Sequence, residues 1–288
     1  MNAHFLNYLY CFLLFLLNIQ SVKAQLLWEI SGNNLNQKSY LYGTIHIVPK
    51  DKFVVKPHVE TAFNAASHLI QEVDLNLSTR EMLSMAQSMT LPKGTTLQGL
   101  LGDADYQKLQ SYCINQLKMK KKKFKKYSRL KPFFFSSLLL VEQLGKTEGY
   151  EKYFSSQASK EKKTESGLET MQQQLAVVET ITLKDQAQML VGSLGSEMTE
   201  FNRLLDKYLN EDLNAVQQLI EEETDSMGSF NENFLVKRNE NWIPILEAFI
   251  AKESCFIAVG AAHLPGENGV INLLKSKGYT VRPVLPEN

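Results

Sequence analysis

Apolar and polar positions alternate through LLWEI (26–30), give way over SGNNLNQK, and resume in SYLYGTIHIV (39–48). Residues 26–48 therefore read as a β-hairpin with a turn rich in Gly and Asn. In PHVETAFNAASH, Val59, Phe63 and Ala66 fall at helical spacing, and the apolar LIQEVDL (69–75) that follows reads as a strand. The C-terminus repeats the plan: CFIAVG as a buried strand, GAAHLPGEN as a loop, GVINLLKSKG as a helix closed by Gly278, and YTVRPVL as a strand. Between the two, helical patterning dominates and no strand signal competes with it. The expectation is an α/β (α+β) fold in a single domain from residue 25 to 288. Two β-loop-α-β units, about 25–78 and 253–288, form a central mixed sheet, with a helical insertion over about 79–252. Ligands of such sheets bind at the ends of the strands.

The first residues break this pattern. LNYLYCFLLFLLNIQ is almost continuously apolar, and Val22 and Ala24 in SVKAQ obey the small-residue rule for signal-peptidase cleavage. Residues 1–24 are thus expected to be a signal peptide and the mature chain to be exported, periplasmic or secreted. A retained anchor is the alternative, although the run is shorter than the ~20 residues a spanning helix needs.

Charge narrows the field further. Lys plus Arg number 31 and Asp plus Glu number 31, a balance that excludes a globally basic nucleic-acid binder. The exception is local: KMKKKKFKKYSRLK, Lys118 to Lys131, holds nine basic residues. A polybasic segment can bind anionic lipid or nucleic acid; this one reads as a solvated helix face or loop, with peripheral contact to an anionic membrane as the alternative and no nucleic-acid partner expected. Once the signal is removed, Cys113 and Cys255 remain, too few for a disulfide framework, and Cys255 reads as a small buried apolar residue.

Candidate chemistry rests on two histidines. GTIHIVP and GAAHLPG each end a strand-like run with Gly-x-x-His and a following Pro, placing His46 and His263 in matching loops. Gly43 and Gly260 permit close backbone approach, and Pro49 and Pro265 stiffen the loop exits. His58 and His68 have no partner at ligand spacing and read as surface or core residues. Two imidazoles plus a carboxylate suit Zn, Mn, Fe or Co. Glu72 and Asp74, two residues apart on one strand face, supply carboxylates; Glu72 lies deeper and is the better ligand or base, while Asp74 caps the strand exit. Glu169, in GLETMQQQL, reads as the first turn of a helix. Arg238 sits on the apolar stripe of a helix over 230–250, defined by Phe234, Trp242, Leu246 and Phe249, where it either meets a carboxylate or snorkels to solvent.

With these residues in view, the chain resembles the TraB/GumN family, which is related to Tiki-type metalloproteases and more distantly to erythromycin-esterase-like proteins. The resemblance rests on LLWEISG, LYGTIHIVP, LIQEVDL, RLKPFFF, GLETMQQQL, KRNENW and FIAVGAAHLPGENGVINLLKSKGYTVRPV, in family order over nearly the whole chain. It implies a divalent-metal hydrolase acting on peptide or protein substrates, with Mn or Co as the supporting metal and Zn as an alternative. His46, His263 and Glu72 would form the centre, with Glu169 and Arg238 in support, Glu72 or Glu169 as general base, and Arg238 stabilising oxyanion charge or anchoring a substrate carboxylate. Two departures stand out: Phe133 where Trp is usual, and Glu151, in GYEKYF, where Asp commonly follows the Gly. Rival readings of the same resemblance are a metal- or peptide-binding envelope protein without turnover and an accessory factor in polysaccharide export.

Overall fold

A computed structural model describes residues 25–74, 77–224 and 231–286. The expected signal segment, residues 1–24, lies outside these, as does Phe230, the expected start of the Arg238 helix. Among the described residues no helix is long and apolar enough to cross a membrane.

The expected hairpin forms from β1 (Leu27–Gly32) and β2 (Ser39–Thr44), antiparallel, with left-handed Gly32, Asn33 and Asn34 making the turn. After a short β3 (Val48–Pro49), α1 (Pro57–Ala65) starts on Pro57 and buries Val59, Ala62 and Phe63. It leads into β4 (His68–Val73), every residue of which is buried. At the far end of the chain, β7 (Cys255–Gly260), a single turn of 3₁₀ helix (Ala261–His263), α12 (Val270–Ser276) and β8 (Tyr279–Pro283) follow the second expected unit. Cys113 and Cys255 are both buried free thiols.

The middle region needs correction. It is mostly helical, with α2 (Thr79–Ser88), α3 (Leu97–Ser111) running into a π-helical turn (Tyr112–Gln116), α4 (Lys121–Tyr127) and α5 (Pro132–Leu144). There follow β5 (Thr147–Glu148), α6 (Tyr150–Glu161), β6 (Thr164–Glu169), α7 (Met171–Val178), α8 (Leu183–Gly192), α9 (Glu197–Leu209) and α10 (Leu213–Thr224). A second π turn (Glu232–Val236) precedes α11 (Lys237–Ile250). β5 pairs with β3, and β6 joins the main sheet, so the insertion is not purely helical. Glu169 accordingly ends a strand; Thr170 caps the helix after it, accepting a hydrogen bond from the Gln173 amide. The signal for β6 was weak because TESGLE is polar and glycine-containing, and it becomes a strand only by pairing with buried β4.

The sheet order is β6-β4-β7-β2-β1-β8, in which β1 alone runs antiparallel to the rest. The two expected units therefore interleave, with β7 of the second lying between β2 and β4 of the first. Covered on both faces, β7 uses its continuous apolar run. On one face Phe63 of α1 and Phe154 of α6 close on Phe256 at 5.4 and 4.8 Å between ring centroids. On the other, α11 lies along β4, with Phe249 against His68 at one end and Arg238 against Glu72 at the other. His68 is a buried core residue tied to Glu253 and Ser166. A separate apolar cluster joins α3, α4, α5 and α8 through Leu109, Phe124, Phe135 and Leu190.

At Gly167 the β4–β6 pairing is tight, since a Cβ there would lie 2.4 Å from the Asp74 backbone nitrogen. Gly167→Ala is expected to push β6 away from β4 and to destabilise the chain by roughly 1–3 kcal/mol. Urea unfolding checks this; an unchanged midpoint would mean that the strands separate freely.

Candidate active site

Four parallel strands bring their C-terminal ends together, and the chemistry gathers there. β4 has both faces covered, which forces Glu72 inside, and β6 carries Glu169 to the same edge. The β7 loop delivers His263, and α11 delivers Arg238 and Asn239.

Arg238 organises the cluster. Its Nη2 donates to Glu72 Oε2 at 2.5 Å and to Glu169 Oε1 at 2.6 Å, and Nε donates to both Glu169 oxygens at 3.1 and 3.2 Å. Nη1 donates to the Phe234 carbonyl at 3.0 Å and faces His263 Nε2 at 3.1 Å. Its guanidinium also stacks over Trp242, 4.8 Å from the ring centroid. Of the two sequence expectations for Arg238, the carboxylate pairing holds and the snorkelling does not: the side chain is 10% exposed, and its partners Glu72 and Glu169 are 7% and 8% exposed.

Glu72 is held from several sides. Oε1 accepts the Gly260 amide at 2.7 Å, and Oε2 accepts Gln174 Nε2 at 3.0 Å besides Arg238. A Cβ on Gly260 would stand 3.1 Å from Glu72 Oε1, so the second Gly-x-x-His glycine serves close approach. Gly43 does the same, its notional Cβ 3.1 Å from Ala261 Cα. Burial alone would push the Glu72 carboxyl up, but His263, His46, Arg238 and the Gly260 amide outweigh it and hold the group down at about 2. Burial dominates at Glu169, whose pKa is raised despite Arg238. His263 is pushed down to about 3, chiefly by burial, so its imidazole is neutral near pH 7. Of the groups holding Glu72 down, Arg238 and His46 therefore stay charged across the neutral range and His263 does not, and Arg238 is the one in direct contact with the carboxylate.

The two imidazoles are held alike. His263 donates Nδ1–H to Asn239 Oδ1 at 2.6 Å, because the Asn239 amide nitrogen is already donating to the carbonyls of Asn268 and His263. His46 places Nδ1 3.0 Å from Glu151 Oε1, the oxygen that also accepts Thr44 Oγ1 at 2.8 Å. Anchoring Nδ1 on an oxygen is the usual outer support of a metal-binding histidine, but His263 Nε2 already accepts from Arg238 Nη1. The residue types thus fit a divalent ion. Their positions are looser: His263 Nε2 stands 3.8 Å from Glu72 Oε1, while His46, with 67% of its side chain exposed, pairs with Glu151 instead. Among the described residues, no three His, Cys, Asp or Glu side chains are gathered where they could hold a metal ion.

Glu151 and Asn239 were not among the expected site residues. Glu151 was visible as a departure from the family's Asp, and Asn239 lies in the KRNENW match, but no local pattern names the histidine each one holds. His58 pairs with buried Glu211 at 3.4 Å, within the structural core.

The Glu151 hydrogen bond, with the charge of that carboxylate, raises the His46 pKa to about 9. In the metal-free chain, NMR titration should find His46 protonated through neutral pH and losing its proton near 9. Glu151→Gln should return it toward the ordinary value of ~6.5. A titration point unmoved by that change would mean the pair does not persist in solution.

The profile of the TraB/PrgY/gumN family matches residues 26–283. Among curated proteins, the chain is 26% identical to "Metalloprotease TIKI1" of Danio rerio, over 91% of this chain and 63% of that one. The chain therefore spans less than two thirds of that relative's length. No solved structure matches.

Proposed function

The chain belongs to the TraB/PrgY/gumN family, and from that premise we propose that it is an exported, divalent-metal-dependent hydrolase that cleaves peptide bonds. The observation that carries this reading is the buried Glu72–Arg238–Glu169 cluster packed against neutral His263 at the strand ends. A buried charged group with every donor satisfied, at the edge where α/β sheets bind ligands, is built for a site rather than for stability. Similarity to a protein called a metalloprotease supports the reaction class.

His46, His263 and Glu72 are the residues that would hold the ion, Mn, Co or Zn. When bound, it supplies Lewis acidity toward a carbonyl and lowers the pKa of water. The chain's own residues do the rest. Glu169, with its raised pKa, is the better proton acceptor, since Glu72 is held strongly acidic by its donors. Arg238 spends its N–H groups on Glu72, Glu169, Phe234 and His263, which makes it a positioning residue that holds both carboxylates in register. Asn239 fixes the His263 tautomer with Nε2 unprotonated.

One observation favours a second reading, a metal- or peptide-binding protein without turnover: His46 stands apart from Glu72 and His263. Incubating the purified chain with a peptide library and Mn, Co or Zn, with a chelator control, separates the two. Metal-dependent fragments by mass spectrometry support the hydrolase; peptide bound yet intact with all three metals supports the binder.

A further inference from the structure

The basic run of the insertion is not diluted by acids. Residues 118–131 hold nine Lys and Arg and no Asp or Glu, which leaves 22 basic against 31 acidic residues in the rest of the chain. The fold sharpens this segregation. α4 turns Phe124 and Tyr127 into the second apolar cluster and presents Lys121, Lys122, Lys125 and Lys126 to solvent, beside Lys118 and Lys120, exposed in the segment that leads into it. Within the run, Lys123 pairs with Glu142 and Lys131 with Glu179, but those six have no ion-pair partner among the described residues. An ordinary solvated face intersperses both signs, because like charges this close repel.

Beside these lysines opens a cavity of about 420 Å³, with Lys118, Lys120 and Lys123 in its wall. Glu142, its acidic neighbour, is already taken up by Lys123 at 2.5 Å and by the Tyr127 hydroxyl at 2.9 Å. Lys118 is held in the left-handed region, φ 55, just after the π-helical turn Tyr112–Gln116. π turns of this kind recur at functional sites.

We propose that this face is a docking surface for an anionic membrane, the cavity taking a lipid phosphate while the flanking lysines lie on the charged surface. The burial of Phe124 and Tyr127 favours a lipid plane over single-stranded nucleic acid. Lysines without exposed aromatics attract a charged lipid plane by electrostatics alone, whereas single-stranded nucleic acid needs rings on which bases stack. The surface belongs to the helical insertion and is independent of the residues assigned to hydrolysis.

The test compares sedimentation of the full chain with vesicles of phosphatidylcholine alone and with vesicles containing phosphatidylglycerol. Any contribution of the apolar N-terminal segment is common to both, so the difference reads the basic face. Partition onto the anionic vesicles should be higher and should fall as salt is raised. The variant with Lys121, Lys122, Lys125 and Lys126 all changed to Gln should lose that preference by a hundredfold or more, at about fivefold per lysine. Inorganic phosphate at millimolar concentration should compete only weakly, since it lacks the surface. Equal partition onto both vesicle types overturns the proposal, as does an unchanged preference in the variant. Full displacement by inorganic phosphate, or tighter binding to single-stranded RNA than to anionic vesicles, does so too. The vesicle and salt comparisons need only the unaltered chain, so a misfolded variant would not leave the question open.

Discussion

His46→Ala is expected to empty the site of metal and to cut peptide cleavage by about a thousandfold or more while leaving the fold intact. The His46 side chain is 67% exposed and makes its contact with Glu151 at the rim, so its removal opens no cavity in the core. Loss of activity in this variant therefore cannot be charged to unfolding. His263→Ala should give the same loss of metal and turnover but should also lower the melting temperature, because His263 is 4% exposed, packs on Trp242 at 4.4 Å and satisfies Asn239. Elemental analysis of the unaltered chain and both variants, beside their thermal melts, provides the check. Equal metal content in all three removes the proposed centre and with it the reaction.

Arg238→Met is the largest stability effect expected. It keeps the volume of the side chain but strands Glu72 and Glu169 in a site where both are less than a tenth exposed. Breaking a buried pair in this way costs about 3–5 kcal/mol, and here one guanidinium serves two carboxylates, which places the variant toward the upper end. Arg238→Lys should recover only part of the loss, since an ammonium lacks the planar fork that reaches Glu72, Glu169, Phe234 and His263 together. Adding Glu72→Gln and Glu169→Gln to Arg238→Met should restore most of the stability, because no unpaired charge then remains. Urea unfolding of the set decides: a loss below about 1 kcal/mol for Arg238→Met would mean that water already reaches these groups.

Much of the sheet was legible because its strands announce themselves. CFIAVG is apolar at nearly every position, and LIQEVDL follows a helix of clear period, so β7 and β4 needed no tertiary information. β6 was not legible: TESGLE has no apolar periodicity, and its strand conformation comes from the register Leu69↔Glu165 and Gln71↔Gly167 against β4. That omission moved Glu169 from a strand end to a helix start. The interleaving of β7 between β2 and β4 was hidden as well, since strand order depends on which helices cover which face.

The candidate site divides in the same way. The paired Gly-x-x-His loops and a carboxylate inside an apolar strand led the sequence to expect His46, His263 and Glu72 together; the structure brings His263 within 3.8 Å of Glu72 but sets His46 on Glu151, and the burial of Glu72 follows directly from its neighbours in β4. Arg238 was legible as an anomaly on an apolar stripe, but its choice between carboxylate and solvent was not, because that turns on whether an acid stands opposite.

By itself, then, the sequence determined the strands and helices whose period or apolar run is continuous, the two histidine loops, and the presence of a charge that needed a partner. These are local properties, set by side-chain spacing along a few turns. Only the tertiary structure decided that Arg238 joins Glu72 and Glu169, that Glu151 and Asn239 anchor the two imidazoles, and that Phe124 and Tyr127 turn inward to leave a bare lysine face. Each of those pairings joins residues far apart in the chain, and hydrogen bonds and burial act on distance in space, which no spacing along the chain encodes.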